Sequence, residues 1–159
     1  MTREQFTAQV KDSQKALRRF LVALCCGDSQ LADDLAQETY IKAYLSCDSL
    51  NSAEKFRAWV FSIAHNTFLT HRRGLRVSDD IDRAADVSAD KQADAGFRYQ
   101  ALYQALSGIP DAERTSILLY YMQGYAVKEI AAIEQTTPDA VRQHLSRGRR
   151  HLRTLLNHR

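Results

Sequence analysis

The feature that most constrains this chain lies in its middle. Residues 74–97, beginning GLRVSDDIDRAADVSADKQADAG, hold few large apolar side chains and much Asp, Ala and Ser. Such a stretch buries too little surface to offset the entropy of ordering it, so it reads as a linker. It divides the 159 residues into parts of 1–73 and 98–159. Six Gly and two Pro are too few for a fold built on tight turns. The expected class is all-α, two small helical domains joined by a flexible acidic linker. No apolar run approaches the ~20 residues of a membrane span, and the charged N-terminus holds no signal-peptide stretch. The expectation is a soluble, cytoplasmic protein without membrane insertion.

Charge follows the same division. Residues 1–73 hold 10 Lys/Arg and 8 Asp/Glu, residues 74–97 hold 3 and 6, and residues 98–159 hold 9 and 5. The net charge of +3 is thus the sum of +2, −3 and +4. From Arg142 onward there are six Arg and no acid, an electrostatic footprint for phosphate.

The first part reads as three helices. Leu17, Phe20, Leu21 and Leu24 recur at helical spacing, and Gly27, Asp28 and Ser29 end that helix and cap the next. The second is expected to carry Leu31, Leu35, Tyr40, Ile41 and Tyr44 inward and to show Asp33, Asp34, Gln37 and Glu38 outward. Ser52 can cap the third, whose stripe is Phe56, Trp59, Val60, Ile63, Ala64 and Thr67. His71, Arg72, Arg73 and Gly74 form its expected stop. Phe56 and Trp59 read as core, whereas Phe61 and Phe68 lie partly off the stripe and stay open to base stacking.

The second part reads as a helix-turn-helix. A helix from Ile109-Pro110-Asp111 through ILLYYM is broken at Gln123-Gly124-Tyr125. A short helix spans Val127–Glu134, Gln135 and Thr136 turn, Thr137 is an N-cap and Pro138 suits the first position of a last, basic helix. At ~100° per residue, Val141, Leu145, Gly148, Leu152 and Leu155 share one side. Asp139, Gln143, Ser146, Arg147 and Arg150 share the other, with Arg142 and Arg149 flanking. Arg pairs with guanine and Gln with adenine, so Gln143 and Arg147 are the base-reading candidates. Arg149, Arg150 and Arg153 suit phosphates.

No catalytic set, Gly-rich phosphate loop or metal-ligand spacing is present, and no cofactor is expected. Cys25, Cys26 and Cys47 read as small buried or half-buried thiols without an assignable role. His144, His151 and His158, spaced by seven, read as a solvated or DNA-facing stripe.

The motifs resemble the extracytoplasmic-function (ECF) sigma factors of the sigma-70 family over nearly the whole chain. DLAQETYIKAY at 34–44 and FRAWVFSIAHNTFLTHRR at 56–73 are similar to the family's first unit, region 2. Residues 109–153 are similar to its second, region 4. The resemblance implies a non-enzymatic factor that binds core RNA polymerase and directs promoter recognition. Region 2 would bind the β′ clamp through Asp34, Gln37 and Glu38. Asp33 could instead belong to an ordinary solvated face. Region 2 would also recognise the −10 element through the loop Ser49–Lys55, with Ser52 and Lys55, holding an unstacked base, through Asn66, and through Arg72 and Arg73 on phosphate. Region 4 would face the β flap and read the −35 element through Thr137, Asp139, Arg142, Gln143, Ser146, Arg147, Arg149 and Arg150. The linker would follow the RNA-exit path. An anti-sigma factor is an implied partner, holding the two units folded back with their DNA faces hidden. His65, Thr70, Asp139 and His144 depart from the family's usual residues, which leaves the bases read open. The competing reading is a stand-alone helix-turn-helix repressor or activator, with residues 28–73 as a sensor.

Overall fold

The computed structural model describes residues 1–78 and 97–157. The linker expectation over 79–96, its RNA-exit role included, and His158 lie outside the described residues. Among the described residues there are seven α-helices and no strand: α1 (Arg3–Leu24), α2 (Ser29–Leu45), α3 (Phe56–Ser78), α4 (Phe97–Ser107), α5 (Asp111–Ile117), α6 (Val127–Glu134) and α7 (Pro138–Asn157).

Local chemistry sets the ends of the first helices. Thr2 and Gln5 form a capping box at the start of α1, which satisfies two orphan N–H groups. The α1 stripe of Leu17, Phe20, Leu21 and Leu24 is wholly buried. Beyond it the chain turns through left-handed Cys26 and Gly27, and Asp28 caps α2 by accepting from the Leu31 amide at 3.1 Å.

Helix α2 corrects part of the reading. Its buried side is Ala32, Leu35, Thr39 and Ala43, mostly small residues that let it lie close against its neighbours. Ile41 and Tyr44, expected inward, are 55% and 43% exposed. Ile41 is two positions from Thr39 and Tyr44 nine from Leu35, which puts each about 180–200° away around the helix.

In α3 the core side is wider than one stripe. Phe56, Val60, Phe61, Ala64 and Phe68 are all buried, so Phe61 and Phe68 belong to the core, and Phe61 meets Phe20 edge-on at 5.1 Å. The expected stop at Gly74 is not taken, because α3 continues to Ser78. A Gly ends a helix when its backbone turns left-handed, and Gly74 does not.

In the second unit, α5 runs into a π-turn at Leu118–Met122. The inserted residue rotates the side chains after it: Leu118 and Leu119 stay buried, while Tyr120, Tyr121 and Met122 face outward. Glu129 accepts from the Ala126 amide at 2.8 Å and starts α6. Gln135 takes the left-handed turn, and Thr137 accepts from the Ala140 amide at 3.1 Å to start α7.

The two units pack on each other through one continuous core. Phe61 meets Tyr125, and the Ser62 hydroxyl donates to the Ile133 carbonyl at 2.9 Å. Arg114, almost wholly buried, donates to the carbonyls of Leu106 at 2.9 Å, Leu24 at 2.8 Å and Ile109 at 3.3 Å. Arg72 donates to Asp111 across the same boundary at 3.1 Å. Gly27 lies so close to Tyr103 that a Cβ there would sit 3.0 Å from its ring. The fold-back expectation is therefore met in its packing, but the polar side of α7 stays exposed rather than hidden.

Candidate functional site

Three surfaces collect the residues singled out in the sequence. On α2, Asp34, Gln37 and Glu38 are exposed. Glu38 pairs with Lys42 one turn on, at 3.1 Å. Asp33 is bound by Arg18 through two contacts of 2.8 and 3.3 Å, which makes it a link between α1 and α2. The sequence reading missed the residues that complete this face. Asp34, Glu38, Ile41 and Leu45 fall at i, i+4, i+7 and i+11, one helical stripe, and Leu45 is 77% exposed. Angular spacing alone could have found it.

On α3, Asn66 and Arg73 are exposed and seven residues apart, so they share a stripe, with Trp59 seven before Asn66. Lys55 is exposed at the start of the helix, and Ser52 caps the preceding turn by accepting from the Glu54 amide at 3.2 Å. Arg72 does not join them, since it turns to Asp111 and lies 5.8 Å over the Phe68 ring. The second unit is packed immediately beside this stripe, because Ser62, one turn before Asn66, is bonded to Ile133.

On α7, Asp139, Arg142, Gln143, Ser146, Arg147 and Arg150 are all exposed. Arg142 is held to Asp139 at 2.6 Å, while Thr137 is engaged as the cap. Arg149 departs from the set: it donates to the Tyr121 hydroxyl at 3.1 Å. It lines, with Arg153, an apolar groove of about 590 Å³ floored by Leu106, Ile117, Leu118 and Leu152. The π-turn that supplies Tyr121 and Met122 to this groove has no signature in residue spacing. The histidine stripe is corrected in part. His144 turns toward the carboxylate of Glu134 inside the unit, whereas His151 stays exposed while its Nδ1 meets Glu113 at 2.7 Å.

Among the described residues no cluster of three or more His, Cys, Asp or Glu is placed to hold a metal. No described helix is long and apolar enough to cross a membrane. Burial pushes the Cys25 and Cys26 thiols upward, away from the low values that make a cysteine reactive.

Comparison with known proteins decides between the two readings. Residues 10–77 match the model for Sigma-70 region 2, and residues 99–152 match that for Sigma-70, region 4. The ECF RNA polymerase sigma factor SigM of Bacillus subtilis is 30% identical over 144 residues, covering 87% of each chain. The chain belongs to the ECF sigma factors. EcfG of Rhodopseudomonas palustris is 28% identical over 144 residues, covering 89% of this chain and 79% of its own. The sigma factor RpoE of Bartonella quintana, solved with the anti-sigma factor NepR, superposes with a TM-score of 0.77. It is 26% identical over 96% of each chain. The residues that a stand-alone regulator would need as a sensor are region 2 of a sigma factor. Its activity is accordingly that of an RNA polymerase sigma factor.

Proposed function

We propose that this ECF sigma factor joins core RNA polymerase to a promoter through a division of labour between its exposed faces. Region 2, taken as residues 1–73, binds the β′ clamp through Asp34, Gln37 and Glu38. The apolar tail of that stripe, Ile41 and Leu45, is covered in the complex. A charged face that grades into apolar residues is the usual build of a protein interface, polar rim against apolar core. Asn66, Arg73, Ser52 and Lys55 meet the −10 element. Arg72 joins them once Asp111 releases it. Region 4, taken as residues 98–159, sets α7 in the major groove at −35 with Gln143 and Arg147 on bases. Arg142 and Arg150 lie on phosphates, with Thr137, Asp139 and Ser146 alongside. The groove beside Arg149 faces the β flap. The chain acts by binding, makes and breaks no bond, and works in the cytoplasm where the polymerase is. Residues 74–97 connect the units, and an anti-sigma factor, the class of partner with which the Bartonella relative was crystallised, holds the packed form of this chain.

The observation that carries this reading is the exposure of the α2 stripe and the polar side of α7 on separate surfaces of one molecule. The test separates them. Asp34→Arg with Glu38→Arg is expected to weaken assembly with core polymerase in a pull-down. Arg147→Ala leaves assembly intact and lowers −35 affinity by about 1–3 kcal/mol. Loss of the same step in both variants contradicts the division.

A further inference from the structure

Inside region 4, three helices each place one polar side chain at the same buried point. Ser116 of α5 is fully buried and donates to Glu134 Oε2 at 2.7 Å. Glu134 is the last residue of α6, directly before the left-handed Gln135 that makes the turn. His144 of α7 lies with its Nδ1 3.4 Å from the Ser116 hydroxyl and 3.9 Å from Glu134 Oε1. Side-chain exposure is 4% for Glu134 and 24% for His144. A carboxyl at this depth is costly as an anion unless it is hydrogen-bonded or neutralised. None of these atoms lies on the outer, polar side of α7.

We propose that Ser116, Glu134 and His144 are a proton-holding clamp that fixes the seating of the recognition helix, so that promoter affinity is coupled to pH through residues that touch no DNA. The inference rests on the reading of α7 as the −35 helix. Glu134 is the hinge of the motif: with its proton it is a neutral group packed between helices. Without it, a buried anion is left with one hydroxyl donor and a neutral imidazole. The seating of α7 on α5 and α6 is then strained at the turn that aims Gln143 and Arg147.

The surrounding charges set the direction. Burial raises the Glu134 carboxyl to about 7, with the Ser116 bond opposing. Burial lowers His144; Glu113 of α5 works against that and Arg147 of α7 works with it. Glu113 is itself held by His151 at 2.7 Å. At the far end of α5, Asp111 engages both Arg114 and Arg72. From α3, which packs on α6, His65 feels Asp111 and Arg57 faces Tyr125. The clamp therefore gains its proton near neutral pH at Glu134 before His144 charges, and DNA affinity is expected to fall as pH rises through about 7.

The test uses core RNA polymerase reconstituted with the full chain and a duplex whose −35 element is selected from a random pool by that holoenzyme. Wild-type affinity is expected to fall by about threefold to tenfold from pH ~6 to ~8, beyond any slope seen with a −35-scrambled duplex. Glu134→Gln keeps a hydrogen-bonding side chain of the same size and is expected to bind with a flat profile. A Glu134→Gln protein that retains the wild-type slope overturns the clamp. If Arg147→Ala leaves −35 binding unchanged, the reading of α7 fails instead. Should Glu134→Gln fail to fold, the His144 ring nitrogens in the full-length wild type decide by NMR. A shift inflecting near 7 with the neighbouring carboxyl supports the clamp, and its absence overturns it.

Discussion

Arg114 shows how much of this molecule depends on single side chains. It is almost wholly buried, and its guanidinium satisfies three carbonyls, one of them the end of α1 in the other unit. Asp111 lies 3.6 Å away as counter-charge. Arg114→Leu leaves three acceptors without their donor, and the expected loss is about 3–5 kcal/mol, measured by urea unfolding of the full chain. His65 makes a prediction of the opposite kind. It is buried with its Nδ1 unpaired, and burial lowers it from 6.5 to about 4, with Asp111 opposing. A base with a depressed folded pKa contributes stability that is whole above its unfolded value and lost as pH falls through the folded one. Glu134, raised to about 7, contributes in the opposite sense over the same window, so the wild-type thermal midpoint is expected to decline relative to that of His65→Phe between pH 6.5 and 4. A midpoint difference between wild type and His65→Phe that is constant across this window contradicts the assignment.

At the scale of elements, α5 and α7 cross at Gly148, where a Cβ would lie 3.0 Å from Ile117 Cγ1 and 3.4 Å from Glu113 Cβ. Gly148→Ala forces Ile117 or the backbone of α7 to give at this crossing. The expected cost is about 1–3 kcal/mol, read by thermal unfolding together with weaker −35 binding. A gain in stability, as Ala's higher helix propensity alone would give, contradicts a tight crossing here. Much of this level was legible in the sequence. Asp28, Thr137 and Pro138 marked helix starts because capping and proline chemistry act within a few residues. The side of α7 that carries Val141, Leu145 and Gly148 emerged from angular spacing. The features that escaped depended on partners distant in sequence. Gly74 reads as a stop, yet nothing at that position turns the backbone. Ile41 and Tyr44 are apolar enough for a core, but the side of α2 that packs is the one with small residues. The π-turn redirects Tyr121 and Met122 by one inserted residue, and residue spacing carries no trace of it. His144 looked outward until Glu134 was placed opposite it.

For the whole molecule, the packed arrangement and the proposed task make different demands. Promoter elements a dozen or more base pairs apart, at 3.4 Å each, lie farther apart than one compact body of this length spans conveniently. The units are thus expected to separate on the polymerase, breaking Arg72–Asp111, Ser62–Ile133 and Arg114–Leu24 together. On the proposed assignment of the −10 surface, that release would free Arg72 and uncover the flank of the Asn66 stripe, while α7 stays exposed in the packed form. The most direct measurement of the central claim is transcription in vitro. Core RNA polymerase, with and without the full chain, is given a pool of templates with randomised −35 and −10 positions, and transcript 5′ ends are sequenced. The expected result is a set of starts that depend on the chain and on both elements, with Arg147→Ala relaxing selection at −35 alone. Transcripts that are independent of the chain, or the absence of any complex with core polymerase, contradict a sigma factor built this way.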